Sequence, residues 1–248
     1  MNEYKLYLTL AKKAIRETIR NMSRNQQRYK EVQFNKDLPR EMKAKIDNSN
    51  NIIIKNILKK TNIPILSEES FDENLSELKH LVWIVDPLDG TVNYVRKITN
   101  SAVSIALYIG LKPVFGVIGE YPSGRIIYGG PKIKSFADKI RIKTSKKKLK
   151  KQSILSTGFP SRYDFKTKDP YKLFKFYSKF LKIRMFGSAA VSLSKVAEGS
   201  IDAYYEEEIM LWDVAAGLAI LSGAGGKYKI SKSDKLFSLR VYAHNGHI

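Results

Sequence analysis

Between Trp83 and Tyr94 the chain reads WIVDPLDGTVNY, and no other stretch restricts the fold as much. An apolar run of strand character, Leu81 to Val85, enters Asp86-Pro87-Leu88-Asp89-Gly90 without a polar spacer. Proline lacks the N–H that a β-ladder uses, so the strand is expected to stop there. Glycine permits a tight backbone path, and a helix is expected to begin near Thr91. Two carboxylates three residues apart are therefore expected at a strand's end, where α/β proteins commonly bind ligands. Magnesium takes oxygen ligands, a few carboxylates together with water and substrate phosphate. Asp86 and Asp89 suit that demand, and the N–H groups of Gly90 and Thr91 suit a phosphate. The same residues also suit a plain polar loop with a helix cap.

Two more acidic segments sharpen the choice. A short apolar run, Ile63 to Leu66, ends in Ser67-Glu68-Glu69-Ser70. Far downstream, Trp212-Asp213-Val214-Ala215-Ala216-Gly217 sets an acid at the start of a helix of small apolar residues. A solvated glutamate pair and a helix cap would explain these segments singly. In combination with Asp86 and Asp89 those plain readings are harder to sustain.

Residues 4–24 carry Leu6, Leu10, Ala14 and Ile15 on one stripe, which predicts an amphipathic helix. Asn25 to Arg40, broken by Pro39, predicts a loop or hairpin, and Asp47 to Lys60 a second helix with Asp47 or an early asparagine near its cap. Ala102 to Ile109, Pro113 to Glu120 and Ile126 to Tyr128 read as an antiparallel meander turning at Gly110-Leu111 and Pro122-Ser123-Gly124. Beyond it, strands are expected at Ile154 to Ser156 and Ile201 to Tyr205. Helices are expected at Pro170 to Leu181, Gly187 to Glu198 and Trp212 to Ser222. This alternation predicts an α/β half. The lysine run Lys143 to Lys151 is the expected boundary. It divides one compact unit into an α+β half, 1–142, and an α/β half, 143–248, that carries Asp213.

Several chemistries are excluded. The 248 residues contain no cysteine, which removes disulfides, thiolate metal sites and a cysteine nucleophile. His80, His244 and His247 form no helical zinc pair. Neither a Gly-x-Ser-x-Gly elbow nor a Gly-x-x-x-x-Gly-Lys-Ser/Thr loop occurs. Gly223-Ala224-Gly225-Gly226 follows a helix and reads as its stop. Neither a signal peptide nor a run of about 18 apolar residues is found, so a cytoplasmic protein that does not enter a membrane is expected. The formal net charge of +20 reads as a solvated surface, or as an attraction for a polyanion such as RNA or for a phosphorylated substrate.

WIVDPLDGTVNY, the preceding SEES and the later WDVAAG together resemble the signature of the inositol monophosphatase family. Arg184 to Ala190 (RMFGSAA), Ile201 to Glu206 (IDAYYE) and Val241 to Asn245 extend the resemblance over nearly the whole chain. It implies an α+β fold, a layered αβαβα sandwich of the inositol monophosphatase and fructose-1,6-bisphosphatase type. It implies lithium-sensitive, magnesium-dependent hydrolysis with two or three ions. One ion would lie on Glu68, Asp86 and the Leu88 carbonyl, a second on Asp86, Asp89 and Asp213, and a third would share Glu68. Thr91 with Asp47 would orient the attacking water, with no covalent phosphoenzyme, and Asp213 would help protonate the leaving alkoxide. The Gly90 and Thr91 amides would cradle phosphate, while Gly187, Ser188, Ala189 and Glu206 would contact the alcohol. The implied substrate is a small phosphorylated polyol or sugar, inositol monophosphate foremost, and the implied assembly a homodimer.

Rival activities are a 3′(2′),5′-bisphosphate nucleotidase, a histidinol-phosphatase and a fructose-1,6-bisphosphatase. A rival of another class is an RNA- or transcription-complex-binding regulator that keeps the fold. The sequence departs from the family pattern in three places. Lys43-Ala44 stands where a Val-Thr pair is usual, Thr-Val-Asn-Tyr replaces Thr-Thr-Asn-Phe, and a final helical segment is expected to be missing after Asn245.

Overall fold

An amphipathic stripe needs a partner surface, and helix α1 (Asn2–Asn25) finds it on the largest sheet. The computed structural model describes residues 2–26, 32–34, 42–70, 80–159, 169–233 and 235–248. After α1, β1 (Val32–Phe34) and β2 (Met42–Ala44) pair antiparallel, and β2 lies beyond the Asn25–Arg40 stretch that read as a loop or hairpin. Lys36 and Pro39 lie outside the described residues. Helix α2 runs Lys45–Leu58, so Asp47 falls in its first turn and is not its cap.

Seven strands then form one sheet in the order β3-β4-β5-β6-β7-β8-β9. They are β3 (Ile65–Ser67), β4 (Leu81–Asp89), β5 (Ser101–Ile109), β6 (Lys112–Tyr121), β7 (Ile126–Gly130), β8 (Ile133–Ala137) and β9 (Ile140–Arg141). A one-turn helix, α3 (Thr91–Val95), follows β4 directly. Five strands form a second sheet in the order β11-β10-β12-β14-β13. These are β10 (Ile154–Thr157), β11 (Lys182–Arg184), β12 (Ala203–Met210), β13 (Lys227–Lys232) and β14 (Ser238–His244). Helices α4 (Pro170–Tyr177), α5 (Ala189–Glu198) and α6 (Leu211–Gly223) complete the chain. Helix α4 ends earlier than the expected Leu181.

Strand alternation divides the buried residues of β4 between two cores. Trp83 and Val85 pack with Ala14, Ile15 and Met22 of α1 and Ile54 of α2. Val82 and Ile84 face the other way, into a core with α5, α6 and the inner face of the second sheet, Tyr204 and Val241 included. A third core puts Leu173 and Tyr177 of α4 on the outer face of that sheet. The layers are therefore α1 and α2, sheet, α5 and α6, sheet, α4: the αβαβα sandwich that the resemblance implied.

Helix α6 is the central member. Its sequence, LWDVAAGLAILSG, is apolar on every side, as burial between two sheets demands. Three hydroxyls of the large sheet bind its carbonyls: Ser104 to Trp212 at 3.3 Å, Tyr108 to Ala215 at 2.9 Å and Ser135 to Ile220 at 2.6 Å. Its N-terminus, with Asp213, is thereby held beside the end of β4.

Candidate metal and phosphate site

The strand did not stop at Val85. β4 continues through Pro87 to Asp89 because the ladder bulges there, a setting in which a strand tolerates proline. Asp86 lies opposite Ser104 and Asp89 opposite Ala102, so β4 takes three steps where β5 takes two. In a regular strand residues 86 and 89 would point to opposite faces. The extra residue returns both carboxylates to the face covered by α6. Leu88 goes to the opposite face, where it is buried beside Trp83 and Val85.

Glu68 follows β3, and its N–H donates to the Val85 carbonyl at 3.2 Å, which ties it to the neighbouring strand. Asp213 sits at the third position of α6 and accepts from the Met210 N–H at 3.2 Å. Carboxylate oxygens of Glu68, Asp86 and Asp213 lie within 4.8 Å of one another. Asp86 is buried and accepts from the Leu88 N–H at 2.9 Å.

Burial pushes the Asp86 carboxyl well above its ordinary range, and Glu68, Asp89 and Asp213 push it further. Asp213 is raised in the same way by burial, Glu68 and Asp89. Three acids that repel one another around the buried Asp86 are a poor structural cluster and a good seat for a hard cation. The donor set is all oxygen, which fits magnesium.

Asp89 is placed differently. Its Oδ2 accepts from the Ser188 hydroxyl at 2.7 Å and the Ala190 N–H at 2.6 Å, at the start of α5. Burial raises its pKa to about 6, against the lowering effect of Ser188 and the amides of Ala190, Ala189 and Gly90. Asp89 is not among the three acids whose oxygens converge. The Ser188 hydroxyl also caps α5 by accepting from the Val191 N–H at 3.1 Å. Both Ser188 and Ala189 thus border Asp89.

Gly90 and Gly187 meet at the rim of the pocket, both with positive φ (84° and 71°). A Cβ at Gly90 would stand 3.0 Å from the Asn100 carbonyl and 3.1 Å from that of Gly187. Thr91 lies next to Gly90. Its hydroxyl is 3.2 Å from the Leu88 carbonyl and 3.5 Å from Asp47 Oδ1. Asp47 is buried.

Glu206, on β12, is buried, and its Oε2 accepts from the Tyr204 hydroxyl at 2.8 Å. Burial raises its pKa to about 8, with Asp89 adding to the rise and Tyr204 opposing it. Glu206 and Asp213 lie within electrostatic reach of each other, so the second sheet contributes to the same pocket.

Reading the sequence missed the residues that hold this arrangement. Asn50 donates to the Pro87 carbonyl at 3.2 Å and accepts from Asn21, bracing the bulge from α1 and α2. Asn51 accepts from Ser67 at 2.9 Å and donates to Ser70, bracketing Glu68. Asn93 donates to the carbonyls of Asn100 and Phe186, joining α3 to the segment before α5. A signal was present in Asn48, Asn50 and Asn51, because asparagine inside a helix needs a reason.

Architecture and pocket together define a class: a layered α+β sandwich with a buried carboxylate centre between its sheets. The profile of the inositol monophosphatase family matches residues 3–245, and the chain belongs to that family. Its members are metal-dependent phosphomonoester hydrolases that generally use magnesium.

A fructose-1,6-bisphosphatase/inositol-1-monophosphatase of Aquifex aeolicus is 36% identical over 150 residues, 60% of this chain and 56% of that protein. A protein named Nus factor SuhB, from Xylella fastidiosa, is 34% identical over 163 residues, 65% of this chain and 58% of that one. The matched segments thus span less than two thirds of these relatives' lengths. The solved inositol monophosphatase of Anabaena superposes with a TM-score of 0.82 at 27% identity, covering 99% of this chain and 92% of that one.

Proposed function

We propose that this chain hydrolyses a small phosphorylated polyol or sugar, inositol monophosphate foremost, with magnesium as its cofactor. The observation that carries the reading is the convergence of Glu68, Asp86 and Asp213 beside the glycine-framed rim at Gly90 and Gly187. Glu68, Asp86, Asp213 and the Leu88 carbonyl would hold magnesium, with Asp89 joining from its place at α5. When bound, magnesium would neutralise the substrate dianion and align the attacking and leaving oxygens.

The chain's own groups supply the rest. Gly90 and Thr91 would offer backbone N–H groups to the phosphate oxygens, the Gly90 N–H being shared with Asp89. Thr91 and Asp47 orient the attacking water and take its proton toward the Asp47 carboxylate. Water oxygen bonds to phosphorus as the ester oxygen leaves; Asp213, acting through a second water, would help protonate that alkoxide, and the proton held by Asp47 would then restore that water. Gly187, Ser188, Ala189 and Glu206 border the alcohol, with Glu206 meeting a hydroxyl. The homodimer and a cytoplasmic setting belong to the same proposal, and sedimentation would test the first.

The test is phosphate release from inositol phosphates, sugar phosphates, histidinol phosphate and adenosine 3′,5′-bisphosphate, with magnesium and after exhaustive chelation. Release from a polyol or sugar phosphate that disappears on chelation is expected. Magnesium-independent release, or a clear preference for the nucleotide, would overturn the reading. A second reading, RNA or transcription-complex binding, is favoured by the net charge of +20 and by the name of the Xylella relative. A salt titration of RNA binding tests it, since steep weakening common to all sequences would mark generic phosphate attraction.

A further inference from the structure

At the opposite end of the large sheet from the acids lies a groove that the reaction does not use. β5 faces Asp89 at Ala102 and reaches Ile109 seven residues on, roughly 24 Å away at about 3.4 Å per residue. Around Ile109, α1, the β5–β6 and β7–β8 turns and β13 enclose a cavity of about 870 Å³. Leu8, Val114, Ile133 and Tyr228 contribute apolar surface to it, and Ile109 is 43% exposed at its edge.

The charges of the lining are one-sided. Lys5, Lys112 and Lys132 are exposed lining residues, and no acid lines the groove among the described residues. No carboxylate pairs with these three lysines among the described residues either. Apolar walls reward burial of hydrocarbon, and ammonium groups at the edge reward an anion. Nucleic acid would leave the apolar surface unused. A second copy docked groove to groove would set two lysine-rimmed faces of like charge together. The volume lies in the range of small-molecule sites.

We propose that this groove binds a free long-chain carboxylate, with its alkyl chain against the apolar walls and its head group among Lys5, Lys112 and Lys132. Calorimetric titration of the full chain with octanoate, decanoate and dodecanoate, each below its micellar concentration, tests the idea. One chain per groove is expected, with affinity rising about fourfold per methylene. Dodecanol and dodecyltrimethylammonium should bind at least about tenfold more weakly than dodecanoate.

Val114→Trp, which fills the groove, should abolish binding while phosphate release stays at the wild-type level. The triple variant K5E/K112E/K132E should reverse the preference toward the cationic amphiphile, and it keeps the test decisive if Val114→Trp does not fold. Absence of dodecanoate binding to the folded wild-type protein would overturn the proposal. So would undiminished binding in a folded Val114→Trp protein, equal affinity for all three head groups, or binding confined to phosphatidylglycerol vesicles.

Discussion

Asp86, Asp213 and Glu68 repel one another in a buried site, so neutralising one acid should have opposite effects on folding and on catalysis. Asp213→Asn removes a charge that burial and two neighbouring acids disfavour. In the presence of chelator the variant should therefore unfold at a higher temperature than the wild type. With magnesium the order should reverse, because saturating metal at 100 times its Kd stabilises the intact site by about 2.7 kcal/mol. Phosphate release should fall at least about a hundredfold. Calorimetry with and without magnesium checks both signs, and a variant that keeps the full magnesium shift would refute the site. Glu206 makes a separate pH prediction. Its folded pKa of about 8 stands above the ordinary 4.5. Below pH 4.5 both states are protonated, and between 4.5 and 8 the unfolded chain loses a proton that the folded one keeps. Stability of the metal-free protein should therefore decline across that window and level off above it. Glu206→Gln should remove this share of the slope, by an amount on the order of a few kcal/mol at pH 8. Denaturant titrations at pH 5 and pH 8 read it directly, and parallel curves for both proteins would show that Glu206 ionises normally.

The same pocket depends on how β4 ends. Gly90 joins β4 to α3 with φ at 84°, and its neighbours leave a Cβ 3.0 Å from the Asn100 carbonyl. Gly90→Ala should cost about 1–3 kcal/mol from the left-handed backbone alone. Because Thr91 follows directly, kcat should fall more than KM rises, which steady-state kinetics would separate from simple unfolding; unchanged kcat would detach this turn from the reaction. Such turns mark the limit of what periodicity conveys. Helix α6 was legible because it is apolar all round, and the start of β4 because five apolar residues lead into it. The bulge at Pro87 was not legible, since alternation assigns Asp86 and Asp89 to opposite faces and only the pairing with β5 corrects it. β13 was missed for another reason. KYKISK pairs with β14 alone at the sheet's edge, and its mostly exposed residues carry no apolar run or clean alternation that marks a strand. The acids themselves were legible as motifs, but the sequence did not show that Asp89 bonds to Ser188 and Ala190, contacts 99 and 101 residues long in the chain.

At the scale of the molecule, 44 basic residues against 24 acidic ones surround a pocket whose own fixed groups are acids. The substrate proposed for it is a phosphate dianion, so the long-range field and the local site pull in opposite directions until magnesium is present. A surface of this sign concentrates anions near the protein and raises the rate of encounter, and salt screens the effect. The screening length falls from about 10 Å at 0.1 M to about 3 Å at 1 M ionic strength. With magnesium held saturating, kcat/KM for a phosphomonoester should therefore drop about three- to tenfold between roughly 20 mM and 500 mM sodium chloride. The value of kcat should change less than twofold, because bound substrate no longer depends on the distant field. Inhibition by inorganic phosphate should weaken in parallel, since the product carries the same charge as the substrate. A salt-independent kcat/KM would mean that the lysines act on nothing that approaches the pocket. A fall in kcat of the same size would place the salt effect at the acids themselves, through displaced magnesium, and not in the field of the whole chain.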